Sequence, residues 1–549
     1  MGTYTAITIG PIYKTFSQVR KSRELWGASY LFSYITKSIV DKISNVPCLP
    51  YSPNLANAKG KGAGFFPDRI IFEGDIKNEV EKVVKITIND IATHSGLPEE
   101  YLNHYLRTSV LTFSLPSNVY SEADKEKNKN IVIVANSLLD TAELQEKYYQ
   151  DISKIQWREA IDKLNGKLFY KKAFKKHDEF EFPSLIEIAT DDFRQKNEKE
   201  YDRLVNTILN KKLLQKASKE KQEQQDKINQ ENFINALKKN DAFYPLDFSP
   251  YHKYVAVVEA DGDNIGATIG AVGTDSAAIR DFSSALFDFS VEATETISRY
   301  GGKPVYSGGD DLLFFAPVAV YTTGHKEAHL RSIFALLKEI DNVFQKKIVQ
   351  NDKLKHLYES EGISKPSMSF GVSIGYYKFP LNETRDCAHQ MLTQIKAVTD
   401  KTDKNKIHFR MQKHSGQSFK AIVDKKKTSY DHFLKTVEKI PLDAELLTSI
   451  IHKLAPMSAL LAQIADKKER LEQFFAQEFE IEIDRTLPNK NAREVFIWHV
   501  VDYYHQLATD FPNDNKMLQD NHTEQDESNI GKLYYVLRFL KHLISEEDE

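Results

Sequence analysis

The chain has 549 residues, 41% of them hydrophobic, with 74 Lys and Arg against 78 Asp and Glu for a formal charge of −4. That is material for several cores, so three or four domains are expected, and the balance excludes a uniformly basic nucleic-acid binder. Two cysteines, Cys48 and Cys387, exclude a four-cysteine zinc module and a disulfide framework, and the lack of a leader or a long apolar span points to the cytoplasm with no membrane partner.

Residues 1–155 read as the first unit. Thr3 to Ile12 alternates as a strand does and contains Gly10-Pro11, and a helix is expected from about Ser17 with Arg20, Lys21 and Arg23 at its head. Those basic side chains could reach phosphates or RNA, or could simply face water. Lys59 and Lys61 flank glycines in an expected loop and form a second phosphate candidate.

Residues 156–248 are dominated by charge, from Lys171 to Lys176 and again from Glu198 to Lys239, and are expected to be a helical connector. Leu204, Ile208, Leu213 and Leu214 fit one amphipathic helix. Lys219 to Lys227 is polar on all sides and reads as an exposed helix or connector.

Residues 249–425 carry the chemistry. Tyr254 to Ala260 is short, β-branched and nearly continuous, the pattern of a strand buried on both faces, and Asp261-Gly-Asp263 follows at its carboxyl end. Ile279, Phe282, Leu286, Phe289, Ala293 and Ile297 then recur at helical spacing until Gly301-Gly302. Pro304 to Tyr306 and Leu312 to Phe315 flank Ser307 to Asp311, which reads as the tight turn of a hairpin. A helical region from about Lys326 to Lys346 and an alternating strand at Met368, Phe370, Val372 and Ile374 complete a βαββαβ order, the ferredoxin-like arrangement of a polymerase palm. A helix over Glu383 to Thr399 and a strand over Lys406 to Met411 extend it. A right-handed crossover brings both acidic clusters to one edge of one sheet. From about Ser429 (the unit 426–549) the pattern is helical to the end, with breaks around Pro488 and from Phe511 to Ser528.

Two unit charges about 4 Å apart repel by roughly 1 kcal/mol in water and about 4 kcal/mol at an effective dielectric near 20. A structural turn gains nothing from that repulsion, whereas two magnesium or manganese ions would relieve it, being hard cations that take oxygen ligands and keep room for phosphates. Asp261, Asp310 and Asp311 are the candidate catalytic ligands, with Gly262 in the same metal set. Asp263 fits either a ligand or a helix N-cap. Gly262, Asp263, Asn264 and Gly266, then Ser307, Gly308 and Gly309, and downstream Lys396 and Lys404, are the candidate nucleotide contacts. Lys396 fits a solvated surface equally well. Gly262, Gly266 and Gly270 stand at four-residue spacing, which is not the dinucleotide fingerprint.

With these residues in view, Tyr254 to Gly266 together with Ser307 to Phe315 resembles the catalytic palm of the large subunit of type III CRISPR effector complexes. Ile7 to Tyr13, Arg20 to Tyr30 and Phe66 to Ile70 resemble the first, degenerate palm of the Cmr branch of that family. The resemblance implies an α+β fold with two ferredoxin-like palms, helical insertions and a C-terminal helical bundle that meets the small helical subunit. It implies guide RNA, target RNA and other subunits as partners. It further implies ATP as substrate and a nucleotide messenger as product. That messenger is a cyclic oligoadenylate in most of the family and AMP joined to S-adenosylmethionine in some members. The family's HD nuclease is not expected, because the first-palm signature starts almost at Met1 and His177-Asp178 has no partner cluster. A catalytically silent scaffold and a stand-alone diguanylate-type cyclase are the alternatives.

Overall fold

The structure, a computed structural model, describes residues 2–49, 62–115, 130–144, 155–173, 182–209, 219–272, 276–323, 328–358, 364–397, 403–438, 440, 443–484, 491–518 and 525–545. Lys59, Lys61, His177, Asp178, Leu213, Leu214 and Pro488 lie outside them.

Near the amino terminus, β1 (Thr3–Gly10), β2 (Cys48–Leu49), β3 (Arg69–Glu73) and β4 (Arg107–Ser114) form an antiparallel sheet in the order β2-β3-β1-β4. Helices Ser22–Lys42 and Lys77–Ser95 make its crossovers, so this is a ferredoxin-like βαββαβ unit. Ser17 ends a short helix, Ile12–Ser17, and does not begin the long one. That one starts at Ser22, where Glu24 accepts hydrogen bonds from the Arg20 and Lys21 backbone N–H groups.

The second sheet repeats the plan. β5 (Tyr254–Asp263), β6 (Lys303–Gly308) and β7 (Asp311–Pro317) come first, then a separate hairpin of β8 (Ala319–Thr323) and β9 (Ala328–Ser332). β10 (Ser367–Tyr376), β11 (Lys406–Gln412) and β12 (Ser418–Asp424) follow, and the sheet order is β12-β11-β10-β5-β7-β6. The four strands β10-β5-β7-β6 stand in the ferredoxin-like order, with the Ser276–Tyr300 and Ile333–Phe344 helices in the crossovers. The helix expected from Lys326 begins only at Ile333, because residues 328–332 pair with β8.

Side chains of β5 alternate between two cores, as expected of a doubly covered strand. Tyr254, Ala256, Val258 and Ala260 join a cluster with Phe282, Phe289 and Phe334, and Val255 and Val257 join one with Leu25, Trp26 and Ile35 of the Ser22–Lys42 helix. Each buried large side chain of this kind is worth about 1.5–3 kcal/mol. Carboxy-terminal helices extend the first cluster: the Phe334 ring packs edge-on against Phe409 of β11 and against Phe433 and Phe539 of two of those helices, at 5.0 to 5.1 Å. Between the sheets, helix Lys219–Lys238 is anchored by buried Phe233, Ile234 and Leu237, apolar positions beyond its all-polar first half. No helix among the described residues is long and apolar enough to cross a membrane.

Candidate active site

The acidic clusters converge because β5 and β7 are antiparallel neighbours whose register, ending at Ala260 opposite Leu312, sets Asp261 beside Asp311. β5 runs on through Asp263, so its acids lie within the strand and not after it. Gly308 pairs with Asp311 across a two-residue turn whose first residue, Gly309, has φ +71°. A left-handed first position is the requirement that glycine meets. The Ser276–Tyr300 helix fixes the turn from below: Ser290 Oγ donates to the Gly309 carbonyl at 2.9 Å, and Ser307 Oγ donates to the Ser290 carbonyl at 2.9 Å.

One carboxylate oxygen from each of Asp261, Asp310 and Asp311 lies within 4.8 Å of the others. Crowding by protein around the tip and then the neighbouring Asp261 charge raise Asp310 to about 7, and Asp311 is pushed well above the carboxylate range. Asp311 is an exposed side chain, so repulsion among the three carboxylates is the cause that survives contact with water.

Among the described residues, the counter-charge paired with the triad is Lys396, the last residue of helix Leu381–Lys396. Its Nζ lies 2.8 Å from Asp261 Oδ2 and 2.8 Å from Asp263 Oδ1, and donates to the Asp261 and Gly262 carbonyls. Burial opposes the ammonium, yet the two carboxylates outweigh it and its pKa rises. Asp263 has no exposed surface and accepts from Ser367 Oγ, Ser369 Oγ and the Asn405 N–H, at 2.8, 2.8 and 3.0 Å. Burial works against its charge, but Lys396 and these donors hold its pKa below the usual range.

Two members of the triad, Asp261 and Asp311, line a cavity of about 1130 Å³ between the two sheets, with Asp310 just behind them. Asp261 and Asp311 stand on one wall with Glu259 and His389, whose Nδ1 lies 2.9 Å from Glu259 Oε2. The opposite wall is the β1 end at Gly10-Pro11, with Arg107 and Asp68. Contact with the first unit also reaches the hairpin itself, since Ser307 N–H donates to the Gly64 carbonyl at 2.9 Å.

Two family models match this chain: the second palm domain of Cas10/Cmr2 over residues 254–408, and the N-terminal part of CRISPR-associated protein Cmr2 over residues 4–92. The chain thus carries two segments of the Cas10/Cmr2 family. Among solved structures it is similar to the type III-B Cmr-beta assembly in its apo state, at 11% identity and TM-score 0.48, over 98% of this chain and 81% of that one. The Csm1–Csm4 cassette in complex with cA4 is similar at 10% identity and TM-score 0.47, over 99% and 70%. Csm1 of T. onnurineus is similar at 11% identity and TM-score 0.46, over 98% and 69%. No curated protein matches.

In this chain the three aspartates at 261, 310 and 311 come together, while the other candidate positions divide. Asp263 is neither a member of the triad nor an N-cap; it is a buried anchor for Lys396, and Asn264, at φ +63°, is the residue whose carbonyl meets the first turn of the next helix. Gly262 turns its carbonyl to Lys396 and its N–H to Asp310. Ser307 is fully buried and braces the turn from the side away from the cavity, Gly308 is buried against Tyr306, and Gly266 is exposed on helix Ile265–Val272. Lys404 is half-buried next to Asn405, outside the cavity lining. Lys396 is not a solvated surface residue.

Sequence reasoning missed Ser290, Ser367 and Ser369. The two strand serines alternate with Met368 and Phe370, a polar pair at i and i+2 facing one way from a buried strand, which is a legible signal for a buried acceptor.

Proposed function

We propose that this chain acts as a Cas10/Cmr2-family subunit and joins ATP-derived adenylates, with release of pyrophosphate, into a diffusible messenger when its complex captures target RNA. The product class is a cyclic oligoadenylate or AMP linked to S-adenosylmethionine. The observation that carries the reading is the convergence of Asp261, Asp310 and Asp311 within 4.8 Å on the edge of a cavity roomy enough for two nucleotides. Among the described residues four neighbouring carboxylates, Asp263 included, share one ammonium, so the residues fit divalent cations, held by Asp261, Asp310 and Asp311. Bound there, magnesium or manganese would activate a ribose hydroxyl and neutralise the charge of the leaving pyrophosphate.

The chain's own residues do the rest. Lys396 and Asp263 fix the end of β5, Ser290 and Gly309 fix the hairpin tip, and the facing sheet closes the cavity around the nucleotides. Preorganised positioning of this kind is most of what phosphoryl-transfer chemistry asks of a protein. Four units, 1–155, 156–248, 249–425 and 426–549, are proposed to divide this work, the last meeting the small helical subunit.

Incubating the assembled complex with labelled ATP, target RNA and S-adenosylmethionine, followed by mass analysis, tests the reading. An adenylate oligomer or conjugate that appears only with target RNA and a divalent cation is expected. Unchanged ATP would leave a silent scaffold.

A further inference from the structure

Arg20, Lys21 and Arg23 do not line the catalytic cavity. With Arg158, Lys227 and Lys378 they line a second cavity of about 490 Å³, where the segment before helix Ser22–Lys42, the Lys219–Lys238 helix and the turn after β10 meet. Asp226 is the lone carboxylate among the described lining residues. Glu24, Asp162 and Glu231 pair from behind with Arg158 at 2.8 Å, Arg23 at 3.6 Å and Lys378 at 2.7 Å, and Lys21 lies 3.5 Å from Asp226. Cations therefore exceed carboxylates by two. The Lys21, Arg23 and Lys378 pairs are partly exposed and weak, so exchanging their carboxylates for a phosphate costs little, whereas Glu24 is buried and keeps Arg158. The helix N-terminus itself is already occupied by Glu24, which leaves the side chains as the anion-binding groups.

Rings accompany the charge. Tyr377, Lys378 and Phe379 follow one another on the turn, with Phe379 half-buried at the cavity and Lys378 Nζ 5.6 Å from the Tyr377 ring centre. Cations that track a backbone beside aromatic faces that stack bases are the combination that binds single-stranded nucleic acid. The volume suits one nucleotide. The catalytic cavity has the opposite balance, with Asp68, Glu143, Glu259, Asp261, Asp311 and Asp386 outnumbering Lys14, Arg107 and Arg385. Leu381, on the rim of the basic cavity, is the first residue of the helix that ends at Lys396.

We infer that this junction cavity takes one nucleotide of a single-stranded RNA, its phosphodiester on Arg20, Lys21 and Lys378 and its base against Phe379. The inference concerns RNA capture and is read without ATP, so it stands or falls separately from the proposed chemistry.

The test is fluorescence anisotropy of a labelled eight-nucleotide oligouridylate on the full chain, with melting curves confirming that each variant is folded. Arg20→Ala with Lys378→Ala is expected to weaken binding about tenfold and to reduce the slope of log affinity against log salt by about 1.4, two phosphate contacts at roughly 0.7 each. Phe379→Ala is expected to weaken binding by about 5-fold or more with the slope unchanged. A 4-thiouridine version of the RNA should crosslink to the peptide holding Tyr377 to Phe379. Full affinity in both variants, or crosslinks confined to other peptides, overturns the inference. So does displacement by inorganic tripolyphosphate at equal phosphate concentration with Phe379→Ala silent, since that describes a site for free phosphate.

Discussion

Lys396 and Asp261, 135 residues apart in the chain, meet at 2.8 Å, and the same ammonium lies 2.8 Å from Asp263. The end of a helix is thus tied to the end of the strand that carries the triad. A cation at a helix C-terminus is also where the backbone dipole favours it.

Lys396→Met should therefore act mainly through what it strands. Asp263 would remain charged with no exposed surface, and losing one partner of a buried pair costs about 3–5 kcal/mol, taken here as about 2–4 because Lys396 is partly exposed. Denaturant melts should show that loss, with part of it recovered when Asp263→Asn is added. An unchanged midpoint in Lys396→Met would contradict the anchoring role.

Gly262 is expected to tolerate no side chain. A Cβ there would stand 2.7 Å from Asp310 Oδ2 and 2.6 Å from Ile265 Cγ1, so Gly262→Ala must displace the carboxylate or the strand. Overpacking of this sort costs about 1–3 kcal/mol. The expected signature is turnover reduced at least tenfold in a chain that still assembles, measured as pyrophosphate release beside size-exclusion of the complex.

Ser290→Ala removes the hydroxyl that holds the Gly309 carbonyl. A loss of about 1 kcal/mol in stability is expected from one hydrogen bond, with a several-fold fall in turnover from a looser hairpin tip. Stability and turnover both at wild-type values would show that the turn holds itself.

His408 sets an acid limit. It is buried on β11 and burial drives its pKa down to about 4, against 6.5 for a free side chain. The unfolded chain takes up a proton at this residue below about pH 6.5 while the folded chain does not until about pH 4, so stability falls as pH drops through that window, by up to about 3 kcal/mol. His408→Gln should flatten that limb of a pH series of melts. A series of the same slope would assign the acid sensitivity to other groups.

Much of this was legible because periodicity and turn chemistry are local. The β5 run, the helical spacing from Ile279 to Ile297 and Gly309 before Asp310 each announce their element, and topology then forces the acids together. What could not be read was direction. Asp261 and Asp263 both lie on β5, yet one joins the triad and the other is sealed behind it, a difference set by Ser367 and Ser369 on a strand over a hundred residues away. Lys396 likewise reads as surface from its helix alone, since only the tertiary fold brings two carboxylates to it. The β8–β9 hairpin was hidden because Ala328 to Ser332 is short and runs straight into the Ile333–Phe344 helix with no glycine or proline between them.

The central claim is that Asp261, Asp310 and Asp311 hold divalent cations against nucleotide phosphates. Pyrophosphate release from ATP by the assembled complex, compared between the wild-type subunit and Asp310→Ala with Asp311→Ala at equal assembly, measures it most directly. Release that requires magnesium or manganese and disappears in the double variant is expected. Equal release in both would contradict it.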